Sequence, residues 1–275
     1  MTGANATLVG ELVAAGLEPR EARWLIEEFF VGDDPEALVA LHAAAKRRLA
    51  GEPLQYVIGH WPFRSLDLDV DSRVLIPRPE TEELVETALR ELVAADVVAP
   101  MILDLGCGSG AIGLALLDEL GARGVMATLL AVDASLDALA VARRNALKHD
   151  LRAVSFVQSS WFDAVDVSLR GRFDLIVANP PYVGEDEFVN LDPVLGYEPR
   201  VALVAADASG VAGFRDVETI INEAPAWLAR AGVLVCEHAN TQSEAALAAA
   251  SAAGFTSVAD LADLAGQPRV LIARR

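Results

Sequence analysis

Cysteine is scarce in this chain. Two residues, Cys107 and Cys236, cannot build a disulfide framework. Neither has a partner at metal-ligand spacing, and the four histidines do not cluster, so no metal is expected. Aromatic residues make up only 6% of a chain that is 53% hydrophobic. The apolar mass is therefore mostly Ala, Leu and Val, which suits helices packed on a parallel sheet. No apolar run approaches the roughly 20 residues of a membrane helix. No basic stretch followed by an apolar one opens the chain, so a cytoplasmic protein is expected. Positive charge is short as well, with 22 Lys and Arg against 40 Asp and Glu and a net charge of −18. That opposes direct nucleic-acid binding, because phosphates are held by cations that release counterions. A protein or small-molecule substrate is favoured instead.

What is present reads as one large α/β domain and a small helical one, for which 275 residues leave room. Residues 5–50 look helical, with Leu8, Leu12 and Val13 on one face and Ala22, Leu25, Ile26 and Phe29 on the next. Gly32-Asp33-Asp34-Pro35 breaks the pattern, and a further helix ends on Lys46-Arg47-Arg48. That basic end suits the helix dipole and could also touch RNA or an acidic partner. Leu66 to Asp71 alternates strictly, Ser72-Arg73 reads as a turn, and Val74-Leu75-Ile76 as the returning strand of a hairpin. A helix is expected from Thr81 to about residue 95. Strands are then expected at 101–105, 127–132, 153–157, 173–178, 232–238, 255–260 and 268–274. Helices fill 110–121, 135–149, 212–229 and 240–253, with a break or kink at Pro225. The boundaries are a helical domain at 1–59, a hairpin linker at 60–80 and an open, doubly wound sheet domain at 81–275. Residues 184–211 are expected to form a long loop.

Asn179-Pro180-Pro181-Tyr182 follows an apolar strand, Phe173 to Ala178. The Asn179 oxygen and backbone carbonyls freed by prolines can accept the hydrogens of a planar amino group, with Tyr182 as a flat neighbour. Such an sp2 nitrogen is a poor nucleophile. Holding it by both hydrogens, with the lone pair facing an electrophile, is catalysis by positioning and electrostatics.

A second motif supplies the electrophile. Asp104-Leu105-Gly106-Cys107-Gly108-Ser109-Gly110 runs from a strand through a glycine turn, and Asp133 ends the next strand where an acid holds ribose hydroxyls. Gly108-Ser109-Gly110-Ala111-Ile112-Gly113 also fits the dinucleotide pattern. Asp104 would crowd a pyrophosphate but suits a ligand ammonium, which points to S-adenosylmethionine over a nicotinamide. Trp161 could cover the adenine or simply pack. Cys107 reads as a small residue tolerated in the turn. Arg78 and Glu80 either organise the pocket or form a linker salt bridge, and Tyr197 to Arg200 either border the substrate entrance or do not.

At these residues the chain resembles the class I methyltransferases, and among them the HemK/PrmC family of release factor glutamine methyltransferases. The resemblance includes Gly51-Glu52-Pro53-Leu54-Gln55-Tyr56, Ile76-Pro77-Arg78-Pro79-Glu80-Thr81, the glycine turn, Asn179 to Tyr182, Tyr197-Glu198-Pro199 and Glu237-His238. Ser160 departs from it, standing where many relatives carry an acid. The resemblance implies a Rossmann-like fold with a mostly parallel seven-stranded sheet. It implies S-adenosylmethionine contacts from Gly106 to Gly110, Asp133, Trp161 and Asn179. Catalysis is expected from Asn179, Pro180 and Tyr182, and substrate contact from Asn179 through Tyr182. It implies methyl transfer to the side-chain amide (N5) of the Gly-Gly-Gln glutamine of peptide chain release factors. A monomer is expected. A DNA or RNA adenine N6-methyltransferase, a paralogue acting on glutamine in another protein, and a non-catalytic binding protein are the alternatives.

Overall fold

The computed structural model describes residues 3–30, 34–263 and 265–275. The break expected at Gly32 and Asp33 lies outside the described residues. Four helices open the chain: α1 (Gly3–Ala14), α2 (Pro19–Phe29), α3 (Pro35–Leu49) and α4 (Leu54–Ile58). Local chemistry sets their starts. Pro19 and Pro35 sit in first turns, and the Glu36 N–H donates to the Asp34 side chain over 3.0 Å. The helices bury their own cluster, including Leu12, Leu25, Leu41 and Leu54, apart from the cores on the sheet. Each such leucine contributes about 1.5–3 kcal/mol on burial. The basic end of α3 is turned to internal use: Arg47 pairs with Glu52 and Arg48 with Glu21.

The linker hairpin differs from its expected form. β1 (His60–Phe63) pairs antiparallel with β2 (Leu66–Asp69), so the partner strand precedes the alternating segment. The turn falls at Arg64 and Ser65, with Arg64 at φ 52°. Arg64 is held there by side chains, its N–H donating to Glu82 and its guanidinium pairing with Glu119. Val74 to Ile76 form no strand because side chains take their backbone bonds. Tyr56 donates to the Val74 carbonyl, and the Ile76 N–H donates to Glu198.

From here strand and helix alternate: α5 (Thr81–Ala94), β3 (Met101–Leu105), α6 (Ala111–Ala122), β4 (Thr128–Asp133), α7 (Leu136–Lys148), β5 (Val154–Gln158), β6 (Phe173–Ala178) and α8 (Glu185–Phe188). The chain continues through α9 (Arg215–Trp227), β7 (Leu228–Glu237), α10 (Ser243–Ala252), β8 (Ser257–Ala262) and β9 (Pro268–Arg274). The seven strands run in the order β5-β4-β3-β6-β7-β9-β8, with β9 antiparallel to both neighbours. Buried residues of α5, α6 and α7 cover one face, and those of α9 and α10 the other. Pro225 does not break α9. It sits in the last turn, and the helix runs on to Trp227, which stacks on Phe162. Residues 184–211 are less irregular than expected, holding α8 and short 3₁₀ turns at Pro193–Tyr197 and Arg200–Ala202. Among the described residues no helix is long and apolar enough to cross a membrane.

The topology fixes where a ligand can sit. The chain builds outward from β3 to β5, then returns to place β6 on the other side of β3. At such a reversal the loops diverge and leave a crevice beyond the strand ends. Leu105 pairs with Ala178, so Gly106 and Asn179 leave the sheet side by side.

Candidate active site

One side of the crevice is built by backbone. The Gly106 and Cys107 N–H groups both donate to the Val132 carbonyl, at 2.8 and 2.9 Å, which folds the turn back over β4. Gly106 lies at φ +71°, and a Cβ there would come within 3.3 Å of the Trp161 ring. Asp133 closes the turn by accepting the Gly108 and Ser135 N–H groups, each at 2.9 Å. Burial raises its carboxyl above the usual range although these N–H donors oppose the shift. A cavity of about 270 Å³ opens here, lined by Gly106, Gly108, Asp133, Ser135, Trp161 and Asn179 among others. Trp161 holds its place at φ 46°, uncommon for a side chain of that size, and its Nε1–H donates to Asp216 over 3.0 Å.

Several residues expected at the cofactor shape the turn instead of lining the cavity. Asp104 is fully buried. Strand alternation turns it away from the side of Leu103 and Leu105, toward α6, where it accepts the Gly113 N–H over 2.9 Å. Burial pushes its carboxyl up to about 7. Its other oxygen, Oδ1, is buried with no hydrogen-bond partner among the described residues, and Asp104 does not line the cavity. Cys107 is buried with its thiol pushed well up by that burial, which fits a packing residue. Ser109 is buried too, and its carbonyl accepts from Asn145, which also binds Asp69 and so ties the hairpin to the turn. Gly110, at φ +84°, starts α6.

The other side is built by side chains. A second cavity of about 240 Å³ is lined by Arg78, Asn179, Pro180, Pro181, Tyr182 and Leu203 among others, and Asn179 and Pro181 belong to both cavities. Asn179 Nδ2 donates to the Thr81 hydroxyl over 3.1 Å, and that hydroxyl donates to Glu237 over 2.8 Å. The Tyr182 hydroxyl donates to the other Glu237 oxygen over 3.2 Å. Burial raises the Glu237 carboxyl and pushes the Tyr182 phenol up. Among the described residues no hydrogen bond reaches the Pro180 carbonyl. The Tyr182 carbonyl is taken by Gln242, and a Cβ on Gly213 would strike it at 2.3 Å. Arg78 pairs with buried Glu198, which also holds Ile76, while Glu80 is exposed just before α5. Tyr197 reaches the N-terminal helices, donating to the Ala50 carbonyl over 3.0 Å, and Pro199 lines the first cavity.

Sequence reasoning assigned no role to Thr81, Glu237, Ser135 or Asp216. Glu237 had a visible signal, a carboxylate ending the apolar run Leu234-Val235-Cys236. Thr81 had its helix-start position and its place at the end of the Ile76-to-Thr81 stretch.

Known proteins agree with this architecture. A methyltransferase domain model matches residues 99–268. The release factor glutamine methyltransferase of Pasteurella multocida is 40% identical over 82% of this chain and 76% of its own length. That of Aliivibrio fischeri is 39% identical over 93% of this chain and 84% of its own. Among solved structures, the T. thermophilus 16S rRNA N2 G1207 methyltransferase with AdoMet and guanosine superposes at a TM-score of 0.52 and 19% identity. It covers 73% of this chain and 44% of its own, and shares the fold. With a glycine turn and an Asn-Pro-Pro-Tyr corner at one sheet reversal, and relatives of such identity along most of its length, this chain belongs to the family of release factor glutamine methyltransferases.

Proposed function

We propose that this protein transfers a methyl group from S-adenosylmethionine to the side-chain amide nitrogen (N5) of the glutamine in the Gly-Gly-Gln motif of peptide chain release factors. The observation that carries the reading is Asn179 at the junction of two cavities, one over the glycine turn and one over the Pro-Pro-Tyr corner.

The first cavity fits the donor. Its glycine wall lies so close to Trp161 that a side chain at Gly106 would crowd the ring. Asp133 keeps a second lone pair on each oxygen for two hydroxyls. Gly106, Gly108, Asp133, Trp161 and Asn179 would hold the cofactor. When bound, S-adenosylmethionine supplies a methyl group on positively charged sulfur. The chain's own part is to position the acceptor. Asn179 Oδ1 and the Pro180 carbonyl take the two amide hydrogens and hold the nitrogen toward the first cavity. Tyr182 packs on the flat amide and keeps water out. The methylated amide is a strong acid while it carries its extra proton and sheds that proton to solvent, so no separate base is needed.

The cations lining the cavities, Arg73 and Arg78, are paired with Asp71 and Glu198. They are poorly placed to hold phosphates, which favours a protein acceptor over a flipped base. We assign the docking of the release factor to the helices of residues 1–59, with 60–80 as linker and 81–275 as the catalytic part, in the cytoplasm where translation ends. The test is incubation with methyl-labelled donor and either release factor or plasmid DNA, followed by mass analysis of tryptic peptides. The expected result is a single methyl on the Gly-Gly-Gln glutamine. Label in DNA, or on another residue of the factor, would overturn the reading.

A further inference from the structure

We propose that Thr81 and Glu237 are positioning residues that lock the Asn179 carboxamide with its oxygen, and not its amino group, turned toward the acceptor. This rests on the methyl-transfer reading above. The two ends of an asparagine amide have nearly the same shape. A half-turn about the last side-chain bond would exchange an acceptor for a donor at little steric cost. An N–H-bearing acceptor needs the oxygen. Something must therefore decide between the two orientations, and the corner holds the means.

The three residues come from distant segments. Thr81 opens α5, Asn179 follows β6, and Glu237 ends β7. The pairing of Ala178 with Cys236 sets Asn179 beside Glu237. Thr81 and Glu237 are 4% and 1% exposed, so water does not compete for their bonds. Two hydroxyls converge on Glu237, that of Thr81 on one oxygen and that of Tyr182 on the other. This arrangement suits a carboxylate, which only accepts; an acid proton on either oxygen would meet a hydroxyl already donating to it. Arg269 favours the charged form, while burial and Glu80 oppose it. A hydroxyl has one proton. Because Thr81 spends it on Glu237, its oxygen can only accept, and what it accepts is the Asn179 amino group. The direction of the chain is thereby fixed from Glu237 outward, and Asn179 Oδ1 is left for the acceptor. The same carboxylate anchors Tyr182, so one buried charge sets both the acceptor oxygen and the flat wall. The corner would select primary amides or exocyclic amines and repel groups that present a lone pair.

The test compares wild type with Thr81→Val, which keeps the shape and loses the hydroxyl, and Thr81→Ser, which restores it. For each, kcat and KM for release factor, donor affinity by calorimetry and melting temperature are measured. We expect Thr81→Val to lower kcat by about tenfold to a hundredfold, with KM and donor affinity within about threefold of wild type. Thr81→Ser should recover most of the rate. A Thr81→Val enzyme within about twofold of wild-type kcat would overturn the proposal, as would a Thr81→Ser enzyme as slow as Thr81→Val. Should Thr81→Val fail to fold, a neutron crystal structure of the deuterated wild type decides. The Thr81 deuteron is expected on the line to Glu237, and a deuteron aimed at Asn179 would refute the proposal. If wild type methylates no release factor, the functional reading falls, and the neutron map still settles the orientation.

Discussion

The two halves of the crevice are built by different means. On the side of the glycine turn the atoms that shape the cavity are largely backbone, from one contiguous stretch latched to its neighbour strand through Asp133. On the side of Asn179 they are side chains from three segments, 98 residues apart between Thr81 and Asn179 and 156 between Thr81 and Glu237. A backbone cradle tolerates substitution wherever the turn survives. A side-chain relay depends on each member. The donor half should therefore lose affinity when altered, and the acceptor half should lose rate.

The sharpest way to break this contrast is Asn179→Ala. Removing the acceptor oxygen should cut turnover on the order of a hundredfold, because misplacing a reacting group costs about that much. Donor affinity by calorimetry should change only a few-fold. A near-normal rate would end the role assigned to this residue. Asp133→Ala should do the reverse. Loss of a charged hydrogen-bond partner, roughly 1.5–3 kcal/mol, weakens donor binding by about tenfold or more, with kcat at saturating donor much less affected. Unchanged affinity would remove Asp133 from the donor site.

An effect on stability alone probes the support beneath the turn. The folded Asp104 carboxyl keeps its proton up to about 7, whereas the unfolded chain releases it near 3.8. The folded state thus binds more protons across that window, and stability falls as pH rises through it. Asp104→Asn cannot ionise. Its urea midpoint should gain on wild type as pH climbs from about 4 to about 7 and hold the lead above it. The gain should be about 1.4 kcal/mol for each pH unit between those limits. A difference that does not vary with pH would show that Asp104 is ionised in the fold.

The same contrast explains what could be read from the sequence. The sheet was legible because its strands are apolar runs bounded by turns, and six of the seven expected spans fall within two residues of the observed ones at both ends. The seventh, β7, starts at Leu228, four residues ahead of the expected 232, where a register shift opposite Phe173 lets the strand begin directly after α9. The glycine turn was legible because its geometry is local. Its exceptions, Asp104, Cys107 and Ser109, face inward, a matter of strand alternation and turn direction. The hairpin was misjudged because Pro62 weakens the strand signal of β1 in the sequence and because Val74 to Ile76 satisfy their backbone through Tyr56 and Glu198, neither of them near in sequence. The Thr81–Glu237 relay could not be read for the same reason: only the folded sheet brings its members together.

The most direct measurement is a crystal structure with S-adenosylhomocysteine and a glutamine-bearing release factor domain. The account predicts the glutamine amide nitrogen within hydrogen-bond reach of both Asn179 Oδ1 and the Pro180 carbonyl, with the nucleoside over Gly106 and Asp133. A glutamine seated elsewhere, or an Asn179 presenting its amino group to the substrate, would contradict it.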